Sequence, residues 1–419
     1  MKILMVDKFY FVKGGAERYM FELSKVLEAN GHEVIPFAMR HPDSFETQHE
    51  AFFARNIEYN HGPVLAKVAT AVRAAGKMIY SFDARKQMEK LIEATKPDIA
   101  HLHMIDHQLS PSILHALKKY NVPVIQTVHQ YKLVCPNYRL YNPRTGKICE
   151  KCLDGNLLHP IKEKCHKDSL VASLMVAVES SLHRATRIYE KHIDLFHVPS
   201  HFMGRKFKEA GVGDGKVRHM FYTINMQDFT PHFSAGDYLL YFGRLADEKG
   251  ILTLLAASRK YPVAPLLIVG DGPQRSELEA FVVEHSLAHV KFLGLKSGDE
   301  LESVVKNARV IIVPSEWYDN SPLVIYESFA YGKPVICSLM GGMPELVDHE
   351  ENGLHFEAGD VDGLAAQMAR LWENPDLAVT FGKNARAKAE REFDPDVHYE
   401  QMYGWYQELT SASPVLIPN

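Results

Sequence analysis

No stretch of this chain is apolar for long enough to cross a bilayer. The best run, Leu170 to Val178, stops at Glu179, far short of the ~20 residues a span requires. Asp7 and Lys8 interrupt the opening residues before any apolar core of a secretion signal can form. The expectation is a cytoplasmic protein, at most peripheral at the inner face of a membrane. Cysteine is scarce, five in 419 residues, and in a reducing compartment no disulfide is expected. Neither sign of charge dominates, because the net charge of −5 dictates no partner class. With 46% hydrophobic and 24% charged residues the composition is that of a globular protein, which excludes a disordered or fibrous chain.

Several local signatures are missing too. No G-x-G-x-x-G follows a strand: Lys13-Gly-Gly-Ala-Glu17 and Gly270-Asp-Gly-Pro273 both lack it, which counts against a nicotinamide or flavin enzyme. There is no Walker A sequence, no nucleophile elbow and no zinc-protease motif. No aromatic-basic module appears, so nucleic acid is not an expected partner.

What is present is alternation. Apolar runs recur at Lys2–Val6, Val34–Ala38, Asp98–His103, Val124–Val128 and Leu195–Pro199, with helical periodicity between them. The style resumes at Tyr238–Gly243, Leu266–Gly270, Val290–Gly294, Val310–Pro314 and Val335–Cys337. Unalternating runs mean strands buried on both faces, as in parallel sheets. At about 150 residues per domain the length predicts two or three domains, and two such series select two. The boundaries read as 1–222 for the first domain, with a poorly patterned insertion at about 130–168. A linker follows at 223–235, then a second domain at 236–394 and a helical tail at 395–419. Charge divides unevenly: residues 1–200 carry +6 and the rest −11. That is either one half facing an anionic surface or two domains with different pI values.

Four segments carry chemistry. Ser321 and Pro322 read as the cap and first residue of a helix whose free Leu323 and Val324 amides suit a phosphate. Asp319 precedes that helix and Glu327 lies about a turn and a half inside it, so both acids can face the crevice at the sheet's C-terminal edge. Arg244 and Lys249 stand just beyond a strand, where two cations can clamp a diphosphate. Gly14 and Gly15 allow backbone amides to approach a bulky anion. His129 ends a buried strand and points to the same crevice, whereas His101 and His103 read as structural. For each segment the plain alternative is ordinary capped or solvated structure.

Taken in order, the segments Gly243-Arg244…Lys249-Gly250, Val269-Gly-Asp-Gly-Pro273, Phe292-Leu-Gly294, Val313-Pro-Ser315, Ala330-Tyr-Gly-Lys-Pro-Val335, Gly341-Gly-Met-Pro-Glu345 and Asn352-Gly353 resemble glycosyltransferase family 4. These are retaining nucleotide-sugar transferases of the GT-B fold. The resemblance implies an α/β protein of two doubly wound Rossmann-like domains facing across a cleft, with a C-terminal helix crossing back to the first. It implies Glu327 as the ribose-binding second acid of an E-x7-E pair and Asp319 as the first, in place of the usual Glu, against the donor sugar. Arg244 and Lys249 match the diphosphate clamp, Gly15 the glycine loop over the donor phosphate, and His129 the histidine beside the anomeric carbon. The implied activity is metal-independent transfer of a hexosyl group from a nucleotide diphosphate sugar to a glycan or lipid-linked acceptor in bacterial surface or extracellular polysaccharide synthesis. The rivals are a GT-B 2-epimerase and a catalytically silent nucleotide-sugar-binding subunit.

Cys135, Cys149, Cys152 and Cys165 follow C-x13-C-x2-C-x12-C, which suits a structural thiolate site, zinc before iron–sulfur, with unligated thiols as the alternative. Cys337 reads as core. Lys67, Arg73, Lys77, Arg85 and Lys86 read as one basic helix with Val68, Val72, Ile79 and Phe82, and Lys162, Lys164 and Lys167 precede an apolar helix. Such faces suit an anionic membrane surface or, equally, solvent.

Overall fold

The computed structural model describes residues 1–56, 76–107 and 109–411. Two six-stranded parallel sheets account for the two series of apolar runs. The first comprises β1 (Lys2–Val6), β2 (Glu33–Phe37), β3 (Ile99–Leu102), β4 (Val124–Thr127), β7 (Leu195–Val198) and β8 (Val217–His219), in the order β2-β1-β3-β4-β7-β8. A small antiparallel hairpin, β5 (Tyr141–Asn142) with β6 (Lys147–Ile148), lies in the cysteine-bearing insertion. The second sheet comprises β9 (Leu239–Phe242), β10 (Leu266–Val269), β11 (Val290–Gly294), β12 (Val310–Val313), β13 (Val335–Ser338) and β14 (Gly353–Phe356), in the order β11-β10-β9-β12-β13-β14. This is the doubly wound order whose direction reverses between β9 and β12; in the first sheet the reversal falls between β1 and β3. Crevices open at the strands' C-terminal ends at such reversals, and they locate the site.

Each sheet is buried on both faces, which is why its strands read as continuous apolar runs. Ile3, Leu4, Ile99, Ile125, Leu239, Leu266, Ile311 and Ile336 are all fully buried. The helix Gly15–Ala29 packs Tyr19, Met20, Leu23 and Leu27 inward, the i, i+4 pattern of one apolar face. The tail helix Pro395–Ser411 returns to the first sheet. There Tyr406 Oη meets His101 Nδ1 at 2.6 Å, Tyr19 Oη meets His398 Nε2 at 2.9 Å, and Arg218 grips Glu408 with two bonds of 2.6 and 2.7 Å.

Two edge strands, β8 and β14, escape the reading from apolar runs. In its described part the expected basic helix does not continue from Lys77 to Lys86, because Ser81 caps a new helix, Phe82–Thr95, by accepting from the Ala84 amide at 3.2 Å. Lys67 and Arg73, with Val68 and Val72, lie outside the described residues. Glu179 interrupts the apolar run inside a longer helix, Leu170–Thr186, where its buried carboxylate accepts from Lys132 Nζ at 2.7 Å. Among the described residues no helix is long and apolar enough to cross a membrane.

Candidate functional site between the two sheets

The second domain's half of the site is built where β9 and β12 diverge. β9 ends at Gly243, and Arg244 and Lys249 stand on the loop that follows. Lys249 Nζ donates to Asp319 Oδ2 at 2.5 Å, and Ser315 Oγ donates to the same oxygen at 3.2 Å. Two glycines make this arrangement possible. Gly250 has φ +67°, and a Cβ there would sit 2.0 Å from the Pro314 carbonyl oxygen. Gly341 has φ +63°, and its Cβ would sit 2.2 Å from the Asp319 carbonyl oxygen, which already accepts from the Gly342 amide at 2.9 Å. Both loops are therefore seated on the one carrying Asp319, and only glycine allows the approach.

The helix Leu323–Ala330 begins one residue later than the capping pattern suggests. Pro322 occupies the cap position and Ser321 does not cap; its hydroxyl is shared with Tyr326 Oη at 2.6 Å instead. The consequence for the site is small. Leu323 and Val324 still hold the first helical positions, where amides lack intrahelical acceptors and the dipole is positive. Glu327 is buried on the next turn, and burial pushes its carboxyl up while the Arg18 guanidinium beside it pulls the other way.

Arg18 comes from the first domain. It lies one turn inside the helix Gly15–Ala29, whose cap is Gly14, and its guanidinium donates to Glu327 Oε1. A Cβ on Gly15 would meet Leu323 Cδ1 at 3.4 Å, so the starts of these two helices face each other across the cleft. Further charged contacts join the halves. Arg139 stands 3.6 Å from Glu248, and the Glu345 carboxylate accepts from the His201 and Phe202 amides at 2.6 and 2.7 Å.

His129 leaves the end of β4 with both ring nitrogens engaged: Nε2 meets His103 Nδ1 at 3.0 Å and Nδ1 meets Tyr222 Oη at 2.6 Å. Burial drives its pKa down to about 3, so the ring is neutral. His103 belongs to a larger buried set with His101, His197 and His398, all held neutral by burial.

These groups line one cavity of about 720 Å³. It brings together Gly14, Gly15, His129, Arg244, Lys249, Asp319, Ser321, Leu323, Val324 and Glu327, all singled out by sequence. Arg18, Tyr131, Trp317 and Tyr222 join them without a sequence signal, because each reaches the cavity through tertiary packing. A second cavity of about 550 Å³ shares Arg18, Leu323 and Glu327 with the first. Both volumes fall within the usual range for small-molecule sites. Each acid is neutralised by a protein cation, while Arg244 is exposed and pairs with no carboxylate among the described residues. The net field at the helix starts therefore favours an anion.

The structure adds no support for the expected thiolate site, although the thiols lie near enough for Cys135, Cys149 and Cys165 to act on Cys152. Cys135, Cys149, Cys152 and Cys165 are free thiols, and among the described residues no group of three or more His, Cys, Asp or Glu side chains could hold a metal ion. Cys135 Sγ donates to Asn137 Oδ1 at 3.0 Å, and burial together with the neighbouring thiols pushes the Cys165 thiol up to about 12. Cys337 is fully buried in β13.

Comparison with known proteins follows the same division. Residues 13–221 match the family model described as Glycosyltransferase Family 4, and residues 225–388 match Glycosyl transferases group 1. An uncharacterized glycosyltransferase of Methanocaldococcus jannaschii is 32% identical over 37% of this chain. The sulfoquinovosyl transferase of Arabidopsis thaliana is 24% identical over 71% of it. The matches span about half the length of those two relatives, 44% and 54%. The glycogen synthase of Mycobacterium tuberculosis is 25% identical over 94% of this chain and 91% of its own. Among solved structures, the sucrose-phosphate synthase from Thermosynechococcus elongatus superposes with a TM-score of 0.72 at 23% identity, over 98% of this chain and all of the other. Anabaena HepE in complex with UDP-glucose gives 0.67 at 18%, over 98% and 100%.

Proposed function

The chain belongs to glycosyltransferase family 4 and has the GT-B fold, and from that premise we propose that it transfers a hexosyl group, with retention, from a nucleotide diphosphate sugar to a glycan or lipid-linked acceptor. The process served is bacterial surface or extracellular polysaccharide synthesis. One observation carries the reading: two helix starts and five cations, Lys13, Arg18, Arg139, Arg244 and Lys249, converge on a cavity that also holds three carboxylates, Glu248, Asp319 and Glu327. That is the environment a departing nucleoside diphosphate needs. Anabaena HepE, which shares the fold, was solved with UDP-glucose, a donor of this class.

In this reading the diphosphate lies against the Leu323 and Val324 amides, with Arg244 and Lys249 on its oxygens. Glu327 takes the ribose and Asp319 the sugar. The bond between the anomeric carbon and the phosphate oxygen breaks as the acceptor oxygen bonds to the same face. The acceptor's proton passes to the leaving phosphate oxygen. His129 is no candidate base, because both its nitrogens are committed and burial disfavours the protonated ring. The acids stand in ion pairs rather than as paired hydrolytic carboxylates, so the logic of glycosidases does not transfer. Charge neutralisation comes from the chain's own cations, and turnover is expected to survive chelation.

A thermal-shift panel of UDP-, GDP- and ADP-sugars tests donor binding. A donor at about 100 times its Kd adds roughly 2.7 kcal/mol of apparent stability. Glu327→Ala should remove the shift and abolish transfer while the circular dichroism spectrum stays unchanged. An active variant would overturn the assignment. Product analysis without acceptor separates transfer from 2-epimerisation, and donor binding with no product under any acceptor would indicate a silent subunit.

A further inference from the structure

The helix Leu170–Thr186 is amphipathic in reverse. Leu170, Val171, Leu174, Val178 and Leu182 are 52, 68, 46, 42 and 45% exposed. Their spacing of i, i+1, i+4, i+8 and i+12 places them on one continuous stripe. Four of the helix's polar side chains point the other way. Ser173, Glu179, Ser180 and His183 are buried, Glu179 on Lys132 and His183 with Nε2 at 3.0 Å from the Ile79 carbonyl oxygen. A helix that hides a glutamate and shows water five aliphatic side chains lacks something that covers them.

The rim indicates the occupant. Lys162, Lys164 and Lys167 precede the stripe and Arg187 and Lys191 follow it; all are exposed, and among the described residues none is in an ion pair. Of the acids nearby, Glu163 pairs with Lys151, exposed Asp168 has Arg144 at 3.8 Å, and half-buried Glu190, between Arg187 and Lys191, is in no ion pair among the described residues. An apolar stripe between two sets of free cations matches the layered chemistry of an anionic bilayer surface, with acyl chains below phosphates. A second copy fits poorly. Whether two such helices pack parallel or antiparallel, cations at one end of the stripe meet cations of the other copy. The stripe also lacks the aromatic anchors typical of protein interfaces.

We propose that this face docks on anionic lipid, with the helix lying in the plane of the interface and its lysines and arginine at phosphate level. The stripe is tied to the cavity. Lys132, which pins Glu179, follows directly on the His129–Tyr131 segment of the cavity wall. Docking would thus bring the acceptor side of the cleft to the membrane. That use rests on the proposed transfer to a lipid-linked acceptor, but the docking itself does not.

Co-sedimentation of the full chain with vesicles tests it, with no donor present. Vesicles of phosphatidylcholine alone are compared with vesicles containing phosphatidylglycerol, at low and high salt. Binding is expected on the anionic vesicles and should weaken with salt. Leu174→Glu with Val178→Glu should reduce binding by roughly tenfold or more. Lys162→Glu with Lys164→Glu and Lys167→Glu should abolish the preference for anionic lipid. If the glutamate pair at 174 and 178 fails to fold, judged by thermal midpoint, Leu174→Ser with Val178→Ser replaces it. Equal recovery on neutral and anionic vesicles would overturn the proposal. So would stripe variants that bind undiminished, or a dimer in sedimentation that the stripe variants dissociate without any vesicle binding. A chain that binds vesicles but transfers no sugar would count against the functional reading alone.

Discussion

The protons around His129 can be assigned from their partners. His103 Nε2 lies 3.0 Å from Met5 Sδ, which has no hydrogen to give, so His103 donates there and its Nδ1 must accept. His129 Nε2–H therefore donates to His103, and its Nδ1 accepts the Tyr222 hydroxyl proton. Tyr222→Phe keeps the ring, which lies 4.4 Å from that of Tyr19, but orphans a buried acceptor. The expected stability loss is about 1–3 kcal/mol. If Tyr222 positions His129 for transfer, kcat should fall roughly ten- to hundredfold with KM little changed. An unchanged kcat beside a lowered thermal midpoint would make Tyr222 merely structural. Asp319, Glu327, Arg244 and Lys249 were legible in the sequence because each stands beside a strand end or helix start that its own segment announces. Arg18 was not, because its partner lies 309 residues away and nothing local distinguishes it from a solvated arginine.

Strand–helix alternation was readable because both sheets are buried on both faces, and it was lost where that condition fails. β8 is half-buried along its length, and β14 opens with a glycine at a sheet edge. Gly353 is there for space: a Cβ would come within 2.1 Å of the Val335 carbonyl oxygen. The shifted helix start at Pro322 has a similar origin. Ser321 fits the local capping rule, but tertiary structure offers its hydroxyl Tyr326 instead. At this scale the informative substitution is Gly250→Ala. It opposes both a φ of +67° and a 2.0 Å approach to the Pro314 carbonyl oxygen, so the Lys249 loop must move off the Asp319 loop. The expected cost is about 1–3 kcal/mol, with weaker donor binding in the same thermal-shift assay. Wild-type stability and donor shift in this variant would mean the two loops are not mechanically coupled.

At the scale of the whole molecule, the charge imbalance seen in sequence does not describe the site. The half carrying −11 contributes Arg244, Lys249 and a helix start to the anion-favouring cavity, so local cations override the global field. What joins the first sheet to the tail helix is instead a buried network of histidines and tyrosines. His197 Nε2 must donate to the Met220 carbonyl at 2.8 Å, so its Nδ1 accepts from Thr127, whose oxygen in turn accepts from His101 Nε2–H at 2.6 Å. His101 Nδ1 then accepts from Tyr406 on the tail helix. Neither of these two imidazoles can take a proton without breaking a bond. Burial lowers His129 and His398 to about 3 and His197 to about 4, and pushes His101 and His103 down as well. In the unfolded chain each would titrate near 6.5. Below that pH the unfolded state binds more protons than the folded one, so stability falls as pH drops toward 4. Asp7 works in the opposite sense. Burial raises it to about 7, so the folded state takes up its proton first and recovers the share of about one histidine between pH 7 and 4. The balance remains several protons, each worth about 1.4 kcal/mol per pH unit once the unfolded state is protonated. The thermal midpoint should therefore hold between pH 8 and 7 and decline progressively below 6.5. His398→Gln, which removes one titrating ring and keeps a hydrogen-bonding group opposite Tyr19, should make that decline shallower. A midpoint that stays flat to pH 5 would mean that the network admits protons without opening.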